Sequence, residues 1–419
     1  MEMNFVRPTV AVIGSGISGL AAGYWLSQKY EVSLFEANHY LGGHTSTIDI
    51  VVGDQTLRVD TGFIVFNTKT YPYFCKLLSD NNIAISRTEM SFSCRSDKEG
   101  IEYNGHELNT LFADRRNLFN PKFYRLLMEV IRFNFLAKKY LKKADREDIT
   151  LEVFLHRHKF SSLFIDLYLS PMVESIWTKN AGDALSTSAP FIFQFCDHHG
   201  LLNYIDRPEW YVVKGGSDQY ISALITSYGS RIFLNEPVLQ IDTDISGVRL
   251  VTAKQTKTFD KVVIATHSDQ ALKMLTTPTA DEQAVLSAIK YSRNDVILHT
   301  DSTVMPKRRL AWASWNYLCG NNKLPQLTYY MNRLQGFESK EPIFVSVNLT
   351  SDIDPAKIIK RFSYEHPIFD RAAIAAQKQW HLVNGKRHLY FVGAYWGYGF
   401  HEDGVLSARS VCENLGVPV

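Results

Sequence analysis

The stretch that decides the fold lies near the start of the chain and reads VAVIGSGISG at residues 10–19. Its first four residues are apolar, which is typical of a buried strand, and the pattern from Leu20 to Gln28 is typical of a helix. Gly14, Gly16 and Gly19 stand between the two with the spacing Gly-x-Gly-x-x-Gly. Glycine turns in this strand–turn–helix context bind the pyrophosphate of a dinucleotide, whereas glycines alone can also form an ordinary turn.

Each part of this turn has a predicted role. Gly14 permits the tight turn, Gly16 lets the backbone approach the pyrophosphate, and Gly19 lets the helix pack on the strand. The helix N-terminus offers free N–H groups and a positive dipole to the phosphates. We predict cofactor contacts from Gly14, Ser15, Gly16, Ile17, Ser18 and Gly19.

An acidic residue supports the same interpretation. Glu36 ends a second predicted strand that begins at Val32, and its position suits the hydroxyl groups of an adenosine ribose. A carboxylate there disfavours a 2'-phosphate, which argues against NADP.

The segment after Glu36 distinguishes FAD from NAD. It contains Ala37, Gly42, Gly43, His44 and Thr45, and it resembles the second signature of the flavin amine oxidase and phytoene desaturase superfamily. In that signature two glycines and usually an arginine follow the ribose-binding glutamate. Here His44 takes the arginine position, which implies a weaker contact because imidazole is only partly charged at neutral pH.

Further segments extend the resemblance along the chain. Alternating residues at 48–52 and 55–60 around Gly53-Asp54 predict a hairpin. The resemblance implies that the following residues pass beside the flavin ring, and that Val238 meets the adenine through its backbone. The positions concerned are Thr61, Gly62, Phe63, Ile64 and Val238. Residues 213–221 and 261–266 resemble two more segments of the cofactor domain.

The end of the chain resembles the second half of the same site. In relatives an acidic residue follows the first glycine of this segment, whereas here Ala394 follows Gly393. We predict a helix that starts at Asp403, Gly404 and Val405 and points its N–H groups at the flavin. A positive helix end would stabilise negative charge on a reduced flavin.

A narrower resemblance concerns the substrate. Residues 207–210, 312–317 and 330–335 are similar to those of bacterial FAD-dependent oxidoreductases associated with cyclopropane-fatty-acid synthases. This similarity implies chemistry on lipid acyl chains and a lipid methyltransferase as a partner.

The domain organisation follows from length and pattern. At 419 residues the chain favours two domains, because domains usually contain about 100–200 residues. We expect an α/β fold, with a discontinuous Rossmann-like FAD-binding domain at residues 1–75, 206–270 and 385–419. Residues 76–205 and 271–384 would form an α+β substrate domain with an antiparallel sheet and a helical insertion.

Within the substrate domain, the predicted strands and the predicted helices lie in different segments of the chain. Residues 295–299, 310–318, 326–332 and 343–349 are predicted strands of the antiparallel sheet, which would roof the flavin. The stretch at 76–205 is predicted to be mainly helical.

Charge and cysteine content exclude several classes of protein. A net charge of +2 argues against nucleic acid as a partner. The 5 cysteines are scattered without zinc spacing, as expected for free thiols in a reducing compartment. Without a leader-like apolar segment or a long uncharged apolar run, we expect a cytoplasmic protein that can lie at the inner face of the membrane.

One stretch suggests how such contact could arise. Residues 121–143 interleave aromatic and aliphatic residues with lysines and arginines, and Glu129 is the acidic exception. A basic amphipathic helix can lie in an anionic membrane interface, although a core-facing helix with solvated lysines has the same pattern.

The candidates for catalysis come from the C-terminal segment. The resemblance places His401 where amine oxidases have one wall of their substrate cage, so His401 is a candidate base or proton relay. A histidine that caps the helix or contacts the flavin edge is the structural alternative. Tyr398 is the second candidate, or with Tyr395, Trp396 and Phe400 a wall of an apolar channel.

Two other positions are interpreted structurally. Lys273 falls near the lysine that holds water at flavin N5 in amine oxidases, but a surface lysine is the favoured interpretation. Residues 197–199 group an aspartate with two histidines, whose adjacent side chains diverge, so no metal site is predicted.

The sequence thus predicts an FAD-dependent oxidoreductase that dehydrogenates a lipid or fatty acyl chain by hydride transfer to flavin N5. An apolar small molecule or a phospholipid acyl chain is the expected substrate. The alternatives are an amine or polyamine oxidase, a redox-neutral fatty acid isomerase, and an FAD-binding accessory subunit of a lipid methyltransferase.

Overall fold

The computed structural model describes residues 7–145, 147–178, 181–203, 205, 207–320 and 324–419. The first six residues and residue 206, both assigned above to the cofactor domain, lie outside this description. The strands are β1 (Thr9–Ile13), β2 (Glu31–Phe35), β3 (Thr47–Val52), β4 (Gln55–Asp60), β5 (Phe66–Asn67), β6 (Ile85–Thr88), β7 (Phe92–Ser96), β8 (Ile101–Asn104), β9 (Trp210–Val213), β10 (Ile232–Phe233), β11 (Val238–Asp244), β12 (Gly247–Thr252), β13 (Thr256–Phe259), β14 (Lys261–Ile264), β15 (Lys290–His299), β16 (Trp315–Cys319), β17 (Leu327–Tyr330), β18 (Phe344–Val347), β19 (Ile358–Ile368) and β20 (Leu389–Phe391). The helices are α1 (Ile17–Leu26), α2 (Pro72–Asp80), α3 (Leu108–Leu111), α4 (Pro121–Leu141), α5 (Leu151–Arg157), α6 (Ser162–Phe164), α7 (Ser170–Trp177), α8 (Ala181–Ser186), α9 (Ala189–His198), α10 (Gln219–Ile225), α11 (Ser268–Met274), α12 (Ala280–Ser287), α13 (Met331–Gln335), α14 (Arg371–Gln377), α15 (Trp380–Val383) and α16 (His401–Asn414).

A five-stranded parallel sheet carries the glycine turn. Its order is β10-β2-β1-β14-β20, so β1 occupies the centre and β20, from the end of the chain, lies beside β14. Val10, Ala11 and Val12 of β1 are fully buried, as expected for a parallel sheet that is covered on both faces. The predicted α/β class is confirmed.

The first and last helices pack against each other beside this sheet. Leu20 and Ala21 of α1 share one buried core with Val405, Ala408 and Val411 of α16. The two ends of the chain are therefore neighbours in space.

A second sheet of seven strands has the order β19-β15-β18-β17-β16-β7-β8. Its neighbours are antiparallel except β16 and β7, which run parallel. The stretch at 76–205 is mainly helical, as predicted, but it also contains β6, β7 and β8. In the antiparallel β7–β8 pair, Ser93 lies opposite Asn104 and Ser96 lies opposite Ile101.

The strand predicted at residues 310–318 is also wrong in its first half. The chain forms a 3-10 turn at Arg309–Ala311, and β16 begins only at Trp315. Between the 3-10 turn and β16 the backbone bonds to side chains. Asn104 Nδ2 donates to the Trp312 carbonyl, and the Ala313 N–H donates to Asn316 Oδ1. Those groups are therefore not available to a strand ladder.

Helices α4 to α9 pack around aromatic side chains. The ring of Phe133 on α4 lies 5.5 Å from that of Phe164, 5.6 Å from that of Phe193 and 6.2 Å from that of Phe154.

Within the described part of the chain, no helix combines the length and hydropathy needed to cross a lipid bilayer.

Candidate cofactor and active site

The glycine turn has the geometry that a bound phosphate group needs. A Cβ atom on Gly19 would lie 2.0 Å from the carbonyl oxygen of Gly14, so only glycine lets α1 start this close to the turn. A Cβ atom on Gly16 would meet no heavy atom within 4 Å. The backbone at Gly16 therefore faces open space at the N-terminus of α1, where a phosphate could approach.

Glu36 is held at the edge of this turn. Its buried carboxylate accepts hydrogen bonds from Ser15 N at 2.9 Å, Ser15 Oγ at 2.6 Å and Asn38 N at 2.9 Å. The Glu236 N–H donates to the Glu36 carbonyl oxygen at 2.9 Å, which brings the segment before Val238 to the same place. Ala37 is exposed beside them.

The double-glycine loop packs against the turn. Gly42 N donates to Ser15 Oγ at 3.2 Å, and a Cβ atom on Gly43 would lie 3.3 Å from Gly16 Cα. The structure thus joins the two glycine motifs that the sequence predicts to bind one cofactor.

His44 follows in a group of aromatic rings. Its ring centroid lies 5.0 Å from that of Tyr364, 5.4 Å from that of His366 and 6.3 Å from that of His267. Burial, and then the charges of His366 and His267, lower the pKa of His44 to about 3. His44 is neutral at physiological pH, so it does not supply the positive charge that an arginine would carry.

Sequence reasoning missed His267 and His366. Burial also lowers the pKa of His366 to about 4, and Thr178 Oγ1 lies 3.0 Å from its Nδ1. In the sequence, His267 and His366 could have been noticed only because one follows β14 and the other lies near the end of β19.

The segment after the hairpin runs beside His44. Phe63 N donates to the His44 carbonyl oxygen and Thr61 N to that of Ser46, both at 2.9 Å. Gly62 lies between these two bonds, and the side chain of Ile64 packs into a separate core under the second sheet.

Asp60 directly precedes this segment, and no role was predicted from the sequence for its carboxylate. Its fully buried carboxylate accepts hydrogen bonds from Thr47 Oγ1 at 2.6 Å, Ser217 N at 2.8 Å, Ser217 Oγ at 2.9 Å and Gln335 Nε2 at 3.1 Å. Burial raises the pKa of Asp60 to about 6, although the bonds from Thr47 and Ser217 act to lower it. The carboxylate joins the hairpin to the segment after a second double glycine, Gly215-Gly216, and to α13.

The C-terminal segment returns to the glycine turn. Gly393 N donates to Ser407 Oγ at 2.9 Å. A Cβ atom on Gly404 would lie 2.7 Å from Ser18 Oγ and 3.0 Å from Ile17 Cγ2, and 3.9 Å from Ala394 Cβ. The starts of α16 and α1 are therefore in contact.

The predicted start of this last helix needs a correction. It begins at His401 rather than Asp403, because Asp403 is the third helical residue and its carboxylate accepts the Phe400 N–H at 2.9 Å. This bond satisfies a backbone donor before the helix, as a capping residue does. Gly404 and Val405 are the fourth and fifth residues of the helix and are buried.

His401 lies in a buried hydrogen-bonded group. Its Nε2 is 3.2 Å from Thr45 Oγ1 and 3.1 Å from Tyr220 OH, and those two hydroxyl groups also bond to each other. The imidazole stacks on Phe63 with 3.5 Å between ring centroids. Burial and the charge of His44 lower its pKa well below the usual range, so His401 is neutral.

Tyr398 contacts the helical part of the protein. Its ring centroid lies 4.8 Å from that of Phe191 and 5.4 Å from that of Phe195, and its carbonyl accepts the Trp177 Nε1–H at 3.0 Å. Phe400 stacks on Phe195 at 5.2 Å. We call these five residues, Trp177, Phe191, Phe195, Tyr398 and Phe400, the aromatic wall.

The carboxylates beside the aromatic wall are bonded to backbone groups. Glu402 accepts the N–H groups of Tyr73 at 3.0 Å and Phe74 at 2.9 Å, and burial raises its pKa. Burial likewise raises the pKa of Asp403 to about 7. Both carboxylates already accept backbone N–H groups, so neither is a free partner for a cation.

Among the remaining candidates, His199 contacts the aromatic wall, because its ring centroid lies 4.0 Å from that of Phe195. Lys273 is exposed on α11 and pairs with Asp269 at 3.2 Å. Asp197 and His198 are exposed, whereas His199 is buried with Nδ1 3.1 Å from the Phe195 carbonyl oxygen. Among the described residues no group of three or more histidine, cysteine, aspartate or glutamate side chains could hold a metal ion.

Comparison with known proteins identifies the family. A family model described as flavin containing amine oxidoreductase matches residues 17–347. The chain belongs to this family. Flavin-containing amine oxidoreductases bind FAD, and this member is an FAD-dependent oxidoreductase. A search of curated proteins found no match.

Solved structures share the fold of this flavin-containing amine oxidoreductase at low sequence identity. Cyclohexylamine oxidase from Brevibacterium oxydans IH-35A has a TM-score of 0.70 and 15% identity, covering 98% of this chain and 100% of its own. Putrescine oxidase bound to putrescine has a TM-score of 0.69 and 12% identity, covering 98% and 99%. A CLA-producing fatty acid isomerase from P. acnes has a TM-score of 0.68 and 13% identity, covering 97% and 98%.

The residues present fit FAD. The open backbone at Gly16 suits the pyrophosphate and the buried Glu36 suits the ribose, while the buried Nε2 of His44 has no hydrogen-bond partner among the described residues and can bond to the cofactor. An unpaired buried polar atom is costly, so a ligand at this place would relieve that cost. The starts of α1 and α16 would hold the cofactor from two sides.

Proposed function

We propose that this flavin-containing amine oxidoreductase dehydrogenates a lipid or fatty acyl chain. The aromatic wall carries the proposal, because its five side chains pack together where the C-terminal segment meets the helical region. An acyl chain is apolar and gains from contact with such side chains, whereas an ammonium group would need a free carboxylate. Glu402 and Asp403 beside the wall accept hydrogen bonds from backbone N–H groups. Glu174, three residues before Trp177, accepts one from the Tyr317 hydroxyl.

The reaction removes a hydride and a proton from adjacent carbons, forms a carbon–carbon double bond and passes two electrons to FAD. When bound, FAD supplies the electron acceptor. The chain itself positions the reactants: the glycine turns and Glu36 hold the cofactor, and the aromatic wall orients the acyl chain and excludes water. His401, with Tyr220 and Thr45, forms a hydroxyl–imidazole group through which a proton could move.

Oxidation of an amine is the second candidate. Two of the similar structures are a cyclohexylamine oxidase and a putrescine oxidase by title, while a third is a fatty acid isomerase. The residues that resemble the cyclopropane-synthase-associated group, at 207–210, 312–317 and 330–335, favour the lipid substrate and a lipid methyltransferase partner.

Anaerobic mixing separates these functions. The FAD-loaded protein is mixed with phospholipid or with putrescine, and the flavin absorbance and the lipid double bonds are measured. We expect bleaching with phospholipid and a new double bond by mass spectrometry. Bleaching with putrescine alone would support the amine oxidase, and a moved double bond without bleaching would support the isomerase. Binding of lipid without either change would support the accessory role.

The same assay tests the role of Tyr398. Because the Tyr398 ring packs in the aromatic wall, Tyr398→Phe should keep the bleaching rate within about threefold of the unsubstituted protein. Loss of a hydroxyl group that transfers a proton in the reaction would slow bleaching by about a hundredfold or more.

A further inference from the structure

The exposed side of α4 carries an unusual row of apolar side chains. Tyr124, Met128, Ile131 and Phe135 are 45%, 66%, 51% and 65% exposed. Their spacing of three or four residues places them along one side of the helix. Phe119, just before the helix, is 88% exposed. We call these five residues the α4 face.

The orientation of α4 is fixed by its other side. Phe123, Leu126, Phe133 and Ala137 are buried in the helical core. The α4 face therefore cannot turn inward without the loss of this core, and large apolar side chains that stay exposed mark interaction sites.

Basic residues border the α4 face. Arg125, Lys139 and Lys142 are exposed beside it, whereas Arg132 pairs with Glu129 at 3.7 Å. Glu129, the one acidic residue of α4, is buried and accepts hydrogen bonds from the N–H and hydroxyl groups of Ser161. The exposed side of the helix thus combines apolar and positive groups.

We propose that the α4 face docks on an anionic phospholipid bilayer. The apolar side chains would enter the acyl region while the arginines and lysines bind headgroup phosphates, as in interfacial amphipathic helices. A second copy of the chain is a poorer partner, since a twofold contact would bring two basic faces together. This contact rests on the proposed function, since it would deliver acyl chains to the reaction. The docking is tested by vesicle binding and the reaction by flavin bleaching, so the failure of one proposal is distinguishable from the failure of the other.

The test is vesicle sedimentation of the full-length, FAD-loaded protein. Vesicles of phosphatidylcholine with phosphatidylglycerol are compared with phosphatidylcholine alone, at low and at high salt. We expect binding to the anionic vesicles that weakens with salt. Met128→Ser with Phe135→Ser should weaken it at least about tenfold, because two apolar side chains no longer enter the bilayer.

Matched variants control for the loss of surface hydrophobicity. Val51 and Ile245 are 75% and 101% exposed and lie outside α4, so Val51→Ser with Ile245→Ser should leave vesicle binding unchanged. The flavin absorbance and melting temperature of each variant verify its fold. In addition, Phe135→Trp should show a blue shift of its tryptophan fluorescence, relative to the unsubstituted protein, when anionic vesicles are added.

Four outcomes would overturn the proposal. Equal binding to neutral and anionic vesicles would remove the role of the basic residues. Equal binding by the α4 double variant and the unsubstituted protein, or the absence of a fluorescence shift in Phe135→Trp, would place the contact elsewhere. A dimer in analytical ultracentrifugation that the α4 double variant dissociates would identify the face as a contact between two copies.

Discussion

Asp60 shows how one buried side chain can organise a site that spans the chain. Its carboxylate bonds to Thr47 of the hairpin, Ser217 after the second double glycine and Gln335 of α13. These partners lie far apart in the sequence, and the residue that joins them directly precedes the segment at Thr61 to Ile64. The carboxylate therefore positions a stretch that the family resemblance places beside the flavin.

Asp60→Ala should lower the free energy of unfolding by about 2–4 kcal/mol, since buried donors on Thr47 and Ser217 lose their acceptor. Asp60→Asn keeps one carbonyl oxygen and should cost less. Urea unfolding of the cofactor-free protein measures both.

The control for this change is Asp54→Ala in the exposed turn of the same hairpin, which should shift stability by less than about 0.5 kcal/mol. Equal losses from Asp54→Ala and Asp60→Ala would contradict the positioning role of Asp60.

Single residues also explain why the family resemblance did not predict the surroundings of His44. His44 occupies an arginine position, and only the structure reveals His267 and His366 near it. Their mutual approach and burial keep His44 neutral, an effect that depends on rings from three separate segments.

At the scale of elements, α7 connects the second sheet with the C-terminal segment. Glu174 of α7 accepts a hydrogen bond from the Tyr317 hydroxyl of β16, and Trp177 at the end of the helix donates to the Tyr398 carbonyl. Glu174 is only 4% exposed, and burial raises its pKa from an ordinary 4.5 to about 7. The helix therefore carries a carboxyl group that is protonated over part of the physiological pH range.

This pKa predicts a pH dependence of stability. Between about pH 4.5 and 7 the unfolded chain is ionised at Glu174 whereas the folded protein keeps the proton, so stability falls as pH rises through this window. Glu174→Gln removes this contribution. Its stability relative to the unsubstituted protein should rise by up to about 2 kcal/mol from about pH 5 to about pH 7.

Urea unfolding at the two pH values measures the effect, and Glu152→Gln at an exposed position of α5 serves as the control. The same pH profile in Glu174→Gln and Glu152→Gln would show that the Glu174 carboxyl is not protonated in the folded protein.

At the scale of the whole molecule, the two ends of the chain meet at Gly404. A Cβ atom there would approach Ser18 and Ile17 at the start of α1. Gly404→Val should separate α16 from α1, lower the free energy of unfolding by about 1–3 kcal/mol and weaken FAD binding. Flavin fluorescence on titration of the cofactor-free protein, together with urea unfolding, measures both changes.

Gly229→Ala is the matched control, because a Cβ atom at Gly229 would meet nothing within 4 Å. If Gly404→Val bound FAD as tightly as Gly229→Ala, the contact between the chain ends would not contribute to the cofactor site.

Patterns carried by neighbouring residues were predicted well. The glycine turn, the strand before it, Glu36 and the β3–β4 hairpin follow from backbone geometry within short segments, and the structure contains each of them. The strand predicted at residues 310–318 was wrong in its first half, because Asn104, distant in sequence, bonds to the backbone there. The domain boundaries and the roles of the site residues stay predictions.

The sequence by itself determined the α/β class, the family and the cofactor, because the spacing of glycines, apolar residues and an acid reports local backbone conformation and the chemistry of a dinucleotide. Only the tertiary structure decided that His401 meets Thr45 and Tyr220, and that the apolar side of α4 stays exposed. These outcomes depend on which distant segments pack together, and that is decided by the burial of the whole chain rather than by any local pattern.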